Sequence, residues 1–175
     1  MDGLYIIQAK YAFELLSRAG LTDSKTIATL VELNAHLSPL GWKPLSNPSL
    51  YRHLVGSLVY LTVTCPKISY AVHQVSEYLS APQSTHYATV LCILRYLKGT
   101  LFHGLFYFAQ FPLILCAFSD VDWARDSIDH RSTTGYFFLL NSYLISWRSK
   151  KQTLVARSST EAEYRSLADT ISELL

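Results

Sequence analysis

Residues 113–117, Leu-Ile-Leu-Cys-Ala, form a nearly unbroken apolar run that leads through Phe118 into Ser119-Asp120-Val121-Asp122-Trp123-Ala124. Such a run is expected as a strand covered on both faces. An aspartate at the end of that strand is costly to desolvate unless positive charge offsets it. A divalent cation is an offset that also supplies chemistry. The competing explanation is that Asp120 or Asp122 caps a turn where the chain leaves the sheet, as aspartates commonly do. The segment alone favours the turn, so the remaining segments have to decide.

Leu4-Tyr5-Ile6-Ile7 has the character of a strand end, and from Gln8 the period becomes helical. Tyr11, Ala12, Leu15, Leu16 and Ala19 share one face, with Gly20 as the stop. Residues 21–47 lose periodicity and contain Pro39, Gly41 and Pro44, a long connection for a compact domain. Asn47-Pro48 then starts a second helix, as N-cap and first residue. Its expected buried face is Tyr51, Leu54, Val55, Leu58 and Leu61 or Thr62. Pro66 suits the first turn of a third helix carrying Ile68, Ala71, Val72, Val75 and Leu79. Ser84 can cap a fourth, carrying Tyr87, Val90, Leu91, Leu94 and Leu97 and closed by Lys98 and Gly99. Residues 103–108, 113–119, 133–140 and 142–147 then read as strands, the last two joined near Asn141. Ser158-x-x-Glu161 is a capping box that opens a last helix with Tyr164, Leu167, Ala168 and Ile171 on its apolar stripe. The expected fold class is therefore mixed, α+β, with a boundary near residue 110. Residues 1–109 are mainly helical and 110–175 run strand, strand, strand, helix.

Half of the 175 residues are hydrophobic and 16% are charged, which argues for packed structure and against disorder. A net charge of +2 is too mild to name a polyanionic partner. The distribution says more, since Arg148, Lys150, Lys151 and Arg157 fall in a stretch with no carboxylate. Cys65, Cys92 and Cys116 lie in apolar surroundings without metal-ligand or pairing spacing, so they read as small buried hydrophobes in a reducing compartment. The six histidines are scattered. No apolar run approaches the roughly 18–20 residues of a membrane span, and Met1-Asp2-Gly3 lacks the basic flank of a signal peptide.

Hydrolysis of a phosphodiester by magnesium needs carboxylates that converge from different elements. The candidates are Asp120 and Asp122 at the strand's end and Glu161 and Glu163 at the start of the last helix. Periodicity does not choose between the two glutamates. Glu161 has a sufficient duty in the capping box, which leaves Glu163 freer to project toward the sheet, although a solvated helix face is its ordinary role. For Arg148, Lys150, Lys151 and Arg157 the ordinary role is a solvated loop, and a phosphate-contacting loop is the alternative.

Several ordered motifs give the sequence a family likeness. They are Gln8-Ala9-Lys10-Tyr11-Ala12, residues 51–62 (Tyr51-Arg52-His53-Leu54 onward), Arg95-Tyr96-Leu97-Lys98-Gly99-Thr100 and Ser119-Asp120-Val121-Asp122-Trp123-Ala124. Arg131-Ser132-Thr133-Thr134-Gly135-Tyr136, residues 145–152 (Ile145-Ser146-Trp147-Arg148 onward) and residues 158–165 (Ser158-Ser159-Thr160-Glu161 onward) complete the set. With these motifs the chain resembles the Pol polyprotein of copia-type LTR retrotransposons of plants.

The resemblance implies that residues 1–109 correspond to the C-terminal part of a reverse transcriptase and its helical connecting region. Residues 110–175 would be the N-terminal half of a ribonuclease H-like domain, with three antiparallel strands and one helix. Such a domain cuts the RNA strand of an RNA–DNA hybrid with Mg²⁺ and four acidic residues, of which Asp120 and Glu163 match two; Asp122 is a weaker candidate metal ligand. The other two acids, and the paired aspartates of the polymerase, fall outside this sequence in the family pattern. The resemblance thus implies a fragment inactive alone, working with the rest of the Pol polyprotein inside the cell, in cytoplasm or nucleus. The alternative is a non-catalytic hybrid-binding remnant using Arg148, Lys150, Lys151 and Arg157. Two departures stand out. The family's Thr-Arg-Pro-Asp is here Thr64-Cys65-Pro66-Lys67, and the glycine usual after Trp-Ala is Arg125.

Overall fold

Gly20 ends the first helix because its φ of 68° is one that L side chains resist. Two backbone bonds close the Schellman turn there: Gly20 N–H donates to Ser17 O, and Leu21 N–H to Leu16 O. The structure is a computed structural model and describes residues 2–30, 43–110, 112–124 and 129–175. Pro39, Gly41 and Arg125 lie outside the described residues.

The chain divides into two compact units, one of Tyr5–Leu105 and one of Met1–Leu4 with Phe106–Leu175. In order, the elements are β1 (Gly3–Ile6), α1 (Ala9–Arg18), α2 (Pro48–Leu61), a 3₁₀ turn (Pro66–Ile68), α3 (Ser69–Ser76), α4 (Ser84–Gly99), β2 (Leu105–Phe108), β3 (Leu115–Asp122), β4 (Thr133–Leu140), β5 (Tyr143–Lys151) and α5 (Ser159–Leu174). The architecture is mixed helix and sheet. Strands β1 and β2 pair with each other, and the division between the units falls within this pair.

In the helical unit, α1 to α4 bury one shared core of Leu15, Leu16, Tyr51, Leu54, Leu58, Leu61, Val72, Val75, Ile93 and Leu94. The Asn47 side chain accepts from Leu50 N–H at 3.1 Å, as an N-cap does, and Pro48 follows it. Two helix starts differ from the sequence expectation. Pro66 opens a single 3₁₀ turn before α3 proper. The cap of α4 is Gln83 in place of Ser84, and Gln83 N–H donates to Nδ1 of the buried His86 ring. All three cysteines are free and only partly buried.

The second unit carries the three-stranded sheet in the order β3-β4-β5, both pairs antiparallel. Asn141 takes the left-handed φ of 56° in the two-residue connection between β4 and β5, which asparagine tolerates. Helix α5 covers one face of the sheet, where Thr134, Tyr136 and Phe138 alternate inward along β4. Against expectation, the apolar run is not covered on both faces. Leu113 is 80% exposed, Leu115 51% and Phe118 48%. Leu113 precedes β3, and along β3 itself α5 packs on one face of the sheet while these side chains stay in water.

Candidate metal-binding site

Strand alternation assigns Ser119 and Val121 to the face covered by α5, because they lie opposite the inward residues Tyr136 and Thr134. Asp120 lies opposite Gly135 and belongs to the other face. A cavity of about 390 Å³ is nevertheless lined by all three, together with Thr160, Glu163, Tyr164, Ser166 and Leu167 of α5. Three consecutive strand residues can share one cavity only along the strand's edge, and the edge of β3 away from β4 is free of a strand partner among the described residues. Asp120 and Glu163 are both among the residues lining this edge cavity.

Each acid is placed by a short chain of contacts. The Asp120 carboxylate accepts from Val121 N–H at 2.8 Å, and its own carbonyl accepts from the Ser166 hydroxyl of α5 at 3.2 Å. Gly135 presents no side chain opposite Asp120, and a Cβ built there would meet no atom within 4 Å. Asp120 therefore faces open space on that side. Glu163 is exposed in the first turns of α5.

The start of α5 separates the two glutamates. The Ser158 hydroxyl accepts from Glu161 N–H at 3.1 Å, as the capping box requires. The Glu161 carboxylate reaches one residue further back and accepts from Arg157 N–H at 2.8 Å, and Arg165 donates to it at 2.7 Å. These two partners, the Arg157 amide foremost, hold Glu161 below the usual carboxylate range. Glu161 is thereby committed to the helix start, and Glu163 is the acid that lines the cavity.

Asp122, the last residue of β3, pairs across to Thr133 and does not line this cavity. Among the described residues, no group of three or more histidine, cysteine, aspartate and glutamate side chains converges on a metal position. The residues that could hold a cation at this cavity are Asp120 and Glu163, two hard oxygen donors. Mg²⁺ bound through one or two carboxylates, with water and phosphate oxygens filling its octahedron, is compatible with that pair. Two ions held by protein alone are not.

A search of curated proteins adds relatives. The chain is 45% identical over 173 residues, 99% of its length, to the retrovirus-related Pol polyprotein from transposon RE2 of Arabidopsis thaliana. It is 36% identical over 179 residues to the corresponding polyprotein from transposon TNT 1-94 of Nicotiana tabacum. It is also 43% identical over 173 residues to the uncharacterized mitochondrial protein AtMg00810 of Arabidopsis thaliana, covering 72% of that protein. Over nearly its whole length the chain is thus similar to a segment of plant transposon Pol polyproteins. It spans 12% of the length of the RE2 polyprotein and 13% of the TNT 1-94 polyprotein. No protein-family model matches the sequence, and no solved structure is significantly similar.

The basic residues are arranged differently from the expected loop. Arg148, Lys150 and Lys151 lie on β5, which runs to Lys151, four residues beyond the strand end expected at Trp147. Pairing with β4 as far as Thr133 holds these polar residues in the ladder. Alternation then splits the cluster, placing Arg148 and Lys150 on the face toward α5 and Lys151 on the other. Arg148 contacts Glu173 of α5 at 2.6 Å. Its hydrogen bond to the Tyr136 hydroxyl, with help from Glu173, raises its already high pKa. Lys151 pairs with Asp129 at 3.1 Å. The Lys150 ammonium is exposed and unpaired among the described residues, and the Arg157 side chain is also exposed.

Gln152 received no role from the sequence, although it closes one of the quoted motifs. It is 5% exposed, and its Nε2 donates at 3.0 Å both to Thr134 Oγ1 on β4 and to the Ala162 carbonyl on α5. Ala162 precedes Glu163, and Thr134 neighbours the glycine opposite Asp120. One buried amide thus ties α5, which carries Glu163, to β4, the strand that pairs with β3. A buried polar side chain between a strand and a helix is invisible to periodicity, which registers only apolar faces.

Proposed function

We propose that the chain is a segment of the reverse transcriptase–ribonuclease H region of a retrotransposon Pol polyprotein, its second unit being the first half of a ribonuclease H-like domain. In this reading Asp120 and Glu163 hold one Mg²⁺ against a phosphate of an RNA–DNA hybrid. The observation that carries it is the shared cavity at the free edge of β3, which has both Asp120 and Glu163 among its lining residues. A bound Mg²⁺ would screen phosphate charge and acidify a coordinated water. What the chain's own residues contribute is placement. Ser166 fixes the β3 backbone at Asp120, Gln152 fixes α5 to β4, and the open space beside Gly135 leaves Asp120 accessible. Two carboxylates do not suffice to confine the second ion of a two-metal hydrolase. The activity proposed for this chain is therefore metal and hybrid binding, with hydrolysis requiring acids from the rest of the polyprotein. Lys150 and Arg157 are the cations available for hybrid phosphate, since Arg148 and Lys151 are engaged within the unit.

Titration with Mn²⁺, followed by paramagnetic broadening of amide resonances, tests the site. Broadening centred on Asp120 and Glu163, weakened at least about tenfold by Asp120→Asn and by Glu163→Gln but not by Asp169→Asn on α5, is the expected result. Broadening that ignores the first two substitutions refutes the assignment. In a hybrid-cleavage assay the chain by itself should be inactive, and complementation by the following polyprotein segment should give cleavage that Asp120→Asn abolishes.

A further inference from the structure

The helical unit has a cavity of its own, about 350 Å³ in volume. That is the lower end of the range for small-molecule pockets, large enough for a molecule of one or two rings. Its lining includes the aromatic side chains Tyr5, Tyr96 and Phe102, and Cys65, Lys67 and His103. Phe102 is 78% exposed, so ring surface is left in water where stacking would cover it. The Tyr5 hydroxyl donates to the Phe102 carbonyl, which anchors the Tyr5 ring to the backbone at Phe102.

The polar groups of this cavity share one character. The Lys67 ammonium, the His103 ring and the Tyr96 hydroxyl make no hydrogen bond or ion pair within the described structure, and no carboxylate lines the cavity. Hydrogen-bond donors and positive charge therefore meet exposed ring faces with nothing on the protein to neutralise them.

We propose that this cavity binds a planar aromatic anion, its ring against Tyr5, Tyr96 and Phe102 and its charge met by Lys67. Two kinds of molecule carry that chemistry, a nucleoside monophosphate unit and an aromatic carboxylic acid. The site is independent of the one at Asp120 and Glu163, and it stands or falls without it.

Isothermal titration of the 175-residue chain with adenosine 5′-monophosphate and with 2-naphthoate separates the two sources. Adenosine and 2-naphthalenemethanol serve as the uncharged counterparts. Saturable binding of either anion is expected, at least about tenfold tighter than its uncharged counterpart and weakened at least about tenfold by Lys67→Asp, the order of one charge-assisted hydrogen bond. Preference for the monophosphate identifies a nucleotide site, and preference for the naphthoate identifies a site for aromatic acids. Lys67 is exposed and unpaired, so Lys67→Asp is expected to leave the fold unchanged, which circular dichroism checks. Cys65→Phe, which fills the cavity, should abolish binding of the preferred anion. Failure of both anions to saturate at millimolar concentration overturns the proposal. So does binding that is indifferent to charge or unchanged in Lys67→Asp.

Discussion

Replacing Gln152 should loosen the second unit at the point where helix meets sheet, and the cost can be worked from its contacts. In Gln152→Ala two buried hydrogen bonds disappear, to Thr134 Oγ1 and to the Ala162 carbonyl, each worth about 1 kcal/mol net. Truncation inside a packed site adds a cavity penalty of about 1 kcal/mol. Against this, the Gln152 carbonyl oxygen is itself buried without a partner, and deleting it returns about 1 kcal/mol. The sum is a loss of about 2 kcal/mol, a large share of the 5–15 kcal/mol typical of a domain. Gln152→Glu should be worse. The carboxylate still accepts from the Thr134 hydroxyl but has no hydrogen for Ala162, and its charge is buried. Burial raises the new acid's pKa, so this loss is present above the unfolded value of about 4.3 and is recovered as pH falls. Urea unfolding followed by tryptophan emission in a Trp42→Phe background reports on Trp123 and Trp147, both in this unit. If both variants unfold within about 0.5 kcal/mol of the parent at pH 7, Gln152 is not the tie described.

Tyr51→Phe should cost about 1–2 kcal/mol in the helical unit, because the fully buried hydroxyl donates to the Val75 carbonyl at 2.6 Å. Burial raises the Tyr51 pKa above its ordinary 10.0, so the stability it supports is complete below pH 10.0 and declines above. Alkaline unfolding of Tyr51→Phe should lose that component. Glu161, held below its ordinary 4.5 by the Arg157 amide and the Arg165 guanidinium, stabilises α5 above pH 4.5 and gives that stabilisation up as pH falls through its lowered pKa. Glu161→Gln should flatten the acid limb of a helicity titration by circular dichroism. Leu113, Leu115 and Phe118 on an exposed sheet edge should drive concentration-dependent association, visible in sedimentation velocity. Leu115→Lys should suppress it without changing the fold.

The helix boundaries were legible where the chemistry is local. Asn47-Pro48 and Gly20 announce their turns because a side-chain acceptor, a fixed φ and a left-handed φ are properties of single residues. The cap at Gln83 was missed because glutamine is a weak general N-capper, and there a buried His86 supplies the partner. Residues 113–117 read as covered on both faces because an apolar run records what a strand can bury, while what packs on the sheet determines what it does bury. The β5 cations read as a loop because Arg-Ser-Lys-Lys has little strand propensity. Their place in the ladder comes from cross-strand pairing with β4, and the Asp129 partner of Lys151 lies 22 residues away in sequence. Spacing left Asp120 beside Asp122 and Glu163 beside Glu161, and the family resemblance preferred the first of each pair. That Asp120 and Glu163 line one cavity depends on tertiary packing, which periodicity does not record.

That edge has a kinetic corollary. Amides and carbonyls along β3 that do not face β4 are ready to zip with an incoming extended segment, and the same stretch ends beside the Asp120 pocket. A segment docking there would extend the ladder and bring its own side chains to the Asp120 pocket in the same event. If the pocket holds Mg²⁺ as proposed, sheet growth and cation binding would be thermodynamically linked, each tightening the other by the same factor.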